Sequence, residues 1–392
     1  MMKRLSTVFL LFLALFLPGC SIWDILGLGG SSGQVSGERI WTVMVYIAAA
    51  NDMESVAKMN INQMEKVGST ANVTILVQLD TKTACYRYLI QRDNDESNIN
   101  SPILGKMPHQ NSGDPAVLAD FIKWGVKDFP AKHYALVLWN HGSGWKPTYS
   151  RTLPRAICFD FVSNDALDTD ELREAFESAN IRFDFLGLDA CLMQMTEVST
   201  EVKDWTRVVC GSQEDEPWDG WPYDLFLGPL VQNPNMDAVQ LGQVAVSAYQ
   251  SYYKNSGLSA TLSAVSTSPI PDLVRAIDNL GSKLASLYPS SSIDSVINST
   301  QKFADDSYKD IFHFAQLISQ NIPEARAEAN AVLTLKSQLI IANWQTYREN
   351  AQGLSIYLPT SGYSEYEASY SSLIFGKLAP NWIVFIKKIN GL

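Results

Sequence analysis

Leu136-Val137-Leu138-Trp139-Asn140-His141-Gly142-Ser143-Gly144-Trp145 and, fifty positions on, Phe185-Leu186-Gly187-Leu188-Asp189-Ala190-Cys191-Leu192-Met193 are two apolar runs of strand length. Each stops at a reactive side chain, His141 in the first and Cys191 in the second. Parallel strands of an α/β sheet bury their apolar runs and present functional groups just past their carboxyl ends. Two such strands lying side by side would place an imidazole beside a thiol. A thiol attacks a carbonyl as thiolate and needs a neighbouring base, so the two runs together predict a cysteine hydrolase.

Around these runs the order of elements is that of an α/β protein. Trp41 to Ala50 reads as a central strand, Asn51-Asp52 as a cap, and the apolar face of Met53, Val56, Ala57, Met64 and Val67 as a helix that Gly68 stops. Val73 to Gln78 then starts a second strand, which completes a βαβ unit. Asp114-Pro115 opens a helix leading to the His141 strand, and Asp168 with Glu171 forms a capping-box pattern before the Cys191 strand. Arg207 to Cys210 reads as a further strand, followed by the acidic and aromatic loop Glu214 to Tyr223. From Pro229 the texture turns helical, with strands returning at Leu258–Ser266 and Gly353–Leu358, either extending the same sheet or forming a separate lobe.

The amino terminus predicts export. Lys3 and Arg4 precede an apolar run from Val8 to Leu17, too short to span a bilayer, which ends in Leu17-Pro18-Gly19-Cys20-Ser21. That ending is similar to a bacterial lipobox and makes Cys20 the expected site of a lipid anchor to the membrane. Residues 1–20 are thus read as a signal peptide and 21–37 as a Gly/Ser-rich tether. Residues 38–228 form the expected catalytic core, and 229–392 a largely helical C-terminal part.

Composition narrows the chemistry. A net charge of −11 over 392 residues, with no run of Lys and Arg, excludes a nucleic-acid-binding surface. Five cysteines without CxxC spacing and four histidines without HExxH leave little for a metal centre. Cys85, Cys158 and Cys210 lie inside apolar runs and read as core. His133 starts the strand that His141 ends, while His109 lies in a loop and His313 in a helical stretch, which leaves His141 as the base. The glycines flanking it would let backbone N–H groups approach an oxyanion. Asp189 and Asp219 are two carboxylates near the nucleophile, readable as a helix cap and a turn former or as ligands for a cation. No GxSxG elbow supports a serine hydrolase.

The segments Trp41–Tyr46 with Ala48-Ala49-Ala50-Asn51-Asp52, Trp139-Asn140-His141-Gly142-Ser143-Gly144-Trp145, Leu188-Asp189-Ala190-Cys191-Leu192-Met193 and Gly353-Leu354-Ser355-Ile356-Tyr357 together resemble the clostripain-type cysteine peptidases. These belong to the clan that also holds caspases, legumains and gingipains. The resemblance implies a caspase-like α/β/α sandwich around a mostly parallel sheet. It implies His141 as general base and acid, Cys191 as nucleophile, and the N–H groups of Gly142 and Cys191 as oxyanion donors. It further implies peptide or protein substrates with Arg or Lys before the cut, their cation held by Asp189 and Asp219. Self-activation is expected in the loop after His141, where Lys146, Arg151 and Arg155 are available and Arg155 is favoured. No cofactor is expected. Clostripain depends on calcium, and with no EF-hand-like loop here calcium stays open. The alternative from another class is a non-catalytic surface lipoprotein binding basic peptides. An Asn- or Asp-directed peptidase would need a cationic pocket, which these acids oppose.

Overall fold

The computed structural model describes residues 39–147 and 157–392. Glu38–Leu392 forms one compact unit. Thirteen strands are found among the described residues: β1 (Arg39–Ala48), β2 (Val73–Asp80), β3 (Ala84–Leu89), β4 (Ile103–Pro108), β5 (Ala131–Trp139), β6 (Ile157–Asp160), β7 (Asp165–Leu167), β8 (Phe183–Asp189), β9 (Thr206–Gly211), β10 (Ala260–Ser266), β11 (Tyr308–Asp310), β12 (Ile340–Thr346) and β13 (Ser355–Tyr357). Nine of them make one sheet in the order β12-β10-β9-β8-β5-β1-β2-β3-β4, and two small two-stranded sheets pair β11 with β13 and β6 with β7.

The middle of the large sheet is parallel, from β9 through β8, β5 and β1 to β2, while β3 and β10 run antiparallel to their neighbours at the two flanks. The parallel centre follows from composition. Trp41 to Ala50 is buried on both faces, which an unbroken apolar run requires and an alternating one would not tolerate. On one face Trp41, Val43, Val45 and Ile47 pack with Trp221, Phe226 and Tyr249, under the helices Glu54–Val67, Tyr223–Gln232 and Ala238–Tyr253. On the other, Met44 and Leu76 lie beneath Gly125 of the helix Pro115–Asp128. Helices on both faces of a sheet make an α/β/α sandwich.

The capping box read at Asp168 and Glu171 is present: the Glu171 carboxylate accepts from the Asp168 N–H at 2.9 Å, at the head of the helix Thr169–Ala179. Asn51 does not simply cap. Its Oδ1 accepts from the Met53 N–H, while its Nδ2 donates to the carbonyls of Ala48 and Phe159 and so joins the end of β1 to β6.

β10 and β12 lie at one edge of the large sheet, whereas the Gly353–Leu358 run contributes β13 to the small sheet with β11. β13 is drawn away by the turn that follows Cys191: the Ser355 N–H and Oγ both donate to the Gln194 carbonyl at 3.0 Å. β4 and β12 are edge strands with partly exposed side chains. Among the described residues no helix is long and apolar enough to cross a membrane.

Candidate active site

The β5–β8 ladder pairs Ala135 with Phe185 and continues in register to Trp139 with Asp189. Counting two residues past that last pair on each strand puts His141 and Cys191 at the same level on neighbouring strand ends. Asn140 locks the exit of β5. Its N–H donates to the Asp189 carbonyl at 3.2 Å, its Oδ1 accepts from the Phe159 N–H at 2.8 Å, and its Nδ2 donates to the Ala48 carbonyl. Gly142 then lies flat against the nucleophile's backbone. A Cβ there would meet the Cys191 carbonyl oxygen at 2.4 Å and its nitrogen at 3.0 Å, so only glycine fits. Leu192, with φ of 65°, makes the sharp turn after Cys191, and its N–H donates to the Glu214 carbonyl at 3.1 Å.

His141 is half-buried and Cys191 partly so. The His141 Nε2 lies 2.8 Å from Oδ1 of Asp52, a carboxylate that is half in solvent. Burial works against the charge on Asp52, but the hydrogen bond and charge of His141 outweigh it and lower its pKa. This partner gives the imidazole a fixed tautomer and an acceptor for a positive charge. Sequence reasoning took Asp52 for a helix cap. The exposed Trp218 stands edge-on to His141, with ring centroids 6.4 Å apart.

Cys191 has different company. The Glu216 N–H donates to its Sγ at 3.3 Å. Burial, with Asp215 adding to it, pushes the thiol up to about 12. In this arrangement the thiol is held neutral.

The three acids separate. Asp189, 4% exposed, accepts from the Tyr223 hydroxyl at 2.8 Å and the Trp221 N–H at 3.3 Å. Burial raises its pKa to about 6. The nearby Glu216 carboxyl is held well above its usual range by burial and by Asp189. Asp219 accepts from the Tyr252 hydroxyl at 3.1 Å near the surface, while its carbonyl accepts from Asn60, which also receives the Trp139 indole N–H. The neighbour the structure gives Asp189 is therefore Glu216, whose place in a run of three acids carried no sequence signal.

Beyond His141 the loop is braced from the C-terminal part. The Tyr308 hydroxyl donates to the Ser143 carbonyl at 2.7 Å. Lys146 binds Asp305 at 2.5 Å and Ser307 at 3.1 Å, and lies 5.0 to 5.4 Å from the ring centres of Tyr308, Tyr357 and Tyr366. Trp145 packs between Tyr357 and Tyr370. Arg151, Arg155 and Cys20 lie outside the described residues.

The remaining histidines are structural in their contacts. His133 faces Asp184 and Trp41, and His313 Nδ1 accepts from the Gln301 N–H. His109 bridges the buried Asp80 and Asp160, and the three offer ligand atoms within 4.8 Å of one another. These carboxylates already accept from the N–H groups of Gln110, Ser112, Val162 and Ser163. Cys85, Cys158 and Cys210 are buried.

The comparisons with known proteins agree with this geometry. The model of the clostripain family of peptidases matches residues 45–388. Clostripain of Hathewaya histolytica is 25% identical over 314 residues, covering 67% of this chain and 60% of its own length. The chain thus spans less than two thirds of that curated relative. The fold is shared with a secreted C11 cysteine protease of Bacteroides thetaiotaomicron in complex with an irreversible peptide inhibitor, at a TM-score of 0.69 and 22% identity, covering 87% of this chain and 99% of that one. It is shared as well with an inactive zymogen C11 protease of Parabacteroides distasonis, at a TM-score of 0.68 and 21% identity, covering 88% and 99%. With the family model matched across both strand ends and the sheet that carries them, the chain belongs to the clostripain family.

Proposed function

We propose that the chain is an exported cysteine endopeptidase that cuts after Arg or Lys. The observation that carries this reading is the in-register pair of strand ends, which sets His141 and Cys191 at one level with Gly142 packed on the Cys191 backbone. In the reaction, His141 takes the thiol proton and the thiolate attacks the carbonyl carbon of the scissile bond. The N–H groups of Gly142 and Cys191 receive the developing oxyanion. Protonated His141, its charge balanced by Asp52, then gives the proton to the leaving amine. Water hydrolyses the thioester, with His141 again as base. Asp189 and Asp219 would bind the substrate's cation. Self-activation would follow cleavage after Arg155, and a lipid at Cys20 would hold the enzyme at a membrane. Lys146, buried in its ion pair and ring cage, is a poor candidate for that cut.

The second reading, a non-catalytic binder of basic peptides, is favoured by the setting of Cys191, whose thiol is held neutral by burial with Asp215 adding to it. Fluorogenic peptides ending in Arg, Lys, Asp or Asn, given to the exported form and to Cys191→Ala, separate the two. Turnover after Arg or Lys that is lost in the variant, with a self-cut absent from Arg155→Ala, is the expected result. No turnover on any peptide by intact, folded protein would favour the binder.

A further inference from the structure

β6 stands outside the nine-stranded sheet and pairs with β7, yet it meets the catalytic strand ends at three successive places. Ile157 makes an antiparallel bridge with Gly142. The Phe159 peptide is held on both sides by asparagines buried just past the ends of β1 and β5: its N–H donates to Asn140 Oδ1 and its carbonyl accepts from Asn51 Nδ2, each at 2.8 Å. The Phe161 N–H donates to the Ala50 carbonyl at 3.0 Å. Between the first two of these places Cys158 has φ of 60°, a left-handed conformation that a residue with a Cβ keeps only where its neighbours are fixed. Ile157 therefore stays on Gly142 only as long as the residues after Cys158 are held.

The hold on them converges at Asp160, which is fully buried. Its Oδ1 accepts from the Val162 and Ser163 N–H groups at 2.8 and 2.9 Å and so closes the turn between β6 and β7, while its Oδ2 accepts from the Ser112 N–H at 3.1 Å. His109 lies beside it, Nε2 at 3.3 Å from the same Oδ2 and Nδ1 at 2.9 Å from Oδ2 of Asp80 at the end of β2. Asp80 in turn accepts from the Gln110 N–H at 3.0 Å and the Ser112 hydroxyl at 3.2 Å. The Ser112 carbonyl accepts from the Tyr46 hydroxyl of β1 at 3.1 Å. One oxygen of Asp160 thus shapes the turn, and the other ties it to the loop 109–113, which is pinned to β1 and β2. The two segments also lie flush: a Cβ on Gly113 would meet the Ala166 nitrogen of β7 at 2.4 Å.

Resting on the reading that Gly142 is an oxyanion donor of a cysteine peptidase, we infer that Asp160 is a positioning residue: through β6 it fixes the orientation of the Gly142 peptide. His141 has its own partner in Asp52, so the hold of β6 falls on the glycine. A cut after Arg155 would make Ile157 the second residue of a new chain. Nothing on its amino side would then keep it on Gly142, and the contacts from Phe159 onward would carry that task.

Two variants of the full chain test this. Asp160→Asn keeps an oxygen for Val162 and Ser163 but loses the acceptor that ties the turn to Ser112. His109→Ala removes the link to Asp80 from the other side. Hydrolysis of a fluorogenic Arg peptide gives kcat and KM. Alkylation of Cys191 by iodoacetamide, followed on the Cys191 peptide by mass spectrometry, reports the thiol without an oxyanion, since that displacement puts no charge on a carbonyl oxygen. Either variant should lower kcat about tenfold while KM and the alkylation rate stay within twofold, and the double variant should be little worse than the single ones. A parallel loss of kcat and alkylation would overturn the inference, because the anchor would then serve the whole site. An unchanged kcat in both variants would overturn it too. Should Asp160→Asn not fold, His109→Ala decides on the same readouts. Wild-type protein that is alkylated but cleaves no peptide would sink the peptidase reading, and the inference with it.

Discussion

The ends of β5 and β8 carry the two groups of the proposed reaction in opposite settings. His141 meets a half-exposed carboxylate that welcomes a positive charge, under an exposed tryptophan. Cys191, one strand over and at the same level, is held neutral first by burial and then by Asp215 and Asp189, against which the Glu216 N–H acts alone. A thiolate–imidazolium pair is therefore favoured from the histidine side and disfavoured from the cysteine side. The difference teaches that this site is built to be poor at ionising its thiol when empty.

The sharpest way to break this comparison is to part the two strand ends. Gly142→Ala puts a methyl 2.4 Å from the Cys191 carbonyl oxygen and removes the flat approach that both oxyanion donors depend on. We expect kcat to fall by roughly 10²- to 10³-fold, with circular dichroism unchanged. Activity within a few-fold of wild type would show that Gly142 takes no part. Next comes the histidine side alone. Asp52→Asn keeps a partner at 2.8 Å but no charge. A loss of about 10- to 100-fold in kcat, with KM nearly constant, is expected from an imidazolium left unbalanced in a half-exposed site. Activity within twofold of wild type would make Asp52 a packing residue only.

How much of this was legible beforehand follows from the kind of signal each residue gives. The parallel centre of the sheet, the helices flanking it and the two strand ends were all readable, because buried parallel strands write unbroken apolar runs and His141 and Cys191 interrupt them. Asp52 was read as a cap since Asn and Asp after a strand serve caps far more often than they serve a histidine 89 positions away. Glu216 sits among Glu214, Asp215 and Asp219, and only the fold of the loop decides which carboxyl turns inward. Tyr308 had no signal at all, because its contact with Ser143 spans two parts of the chain that the sequence keeps 165 residues apart. β12 escaped notice for another reason: its apolar start, Ile340-Ile341-Ala342, follows without a break from the helix Arg326–Leu339 and reads as that helix's end.

Tyr308 offers a smaller perturbation of the histidine end from outside the catalytic strands. Tyr308→Phe removes the 2.7 Å hydrogen bond to the Ser143 carbonyl but keeps the ring under Lys146. Loosening the loop after His141 should lower kcat by about fivefold, while thermal stability changes little. An equal loss from Lys146→Met would assign the effect to the brace as a whole, and no loss from either would leave the loop positioned by Gly142 and Asn140 alone.

The smallest effect on catalysis, and a control for the acid-lined cysteine end, comes from a buried acid that follows the nucleophile's turn without touching the thiol. Glu197 is fully buried, accepts from the Tyr370 hydroxyl at 2.7 Å and the Tyr357 N–H at 2.9 Å, and is raised by burial to about 7 from an ordinary 4.5. A raised carboxyl means that the native state holds a proton the unfolded chain has released. Its contribution to stability is therefore complete below pH 4.5 and is lost as pH climbs through 7. Denaturant unfolding should show this as a decline on the order of 3 kcal/mol at most across that window. Glu197→Gln, permanently neutral, should flatten that part of the curve while leaving kcat within twofold. If the variant instead cost as much activity as Asp52→Asn, buried acids near the turn would act on the thiol through structure rather than charge, and the contrast between the two strand ends would lose its electrostatic basis.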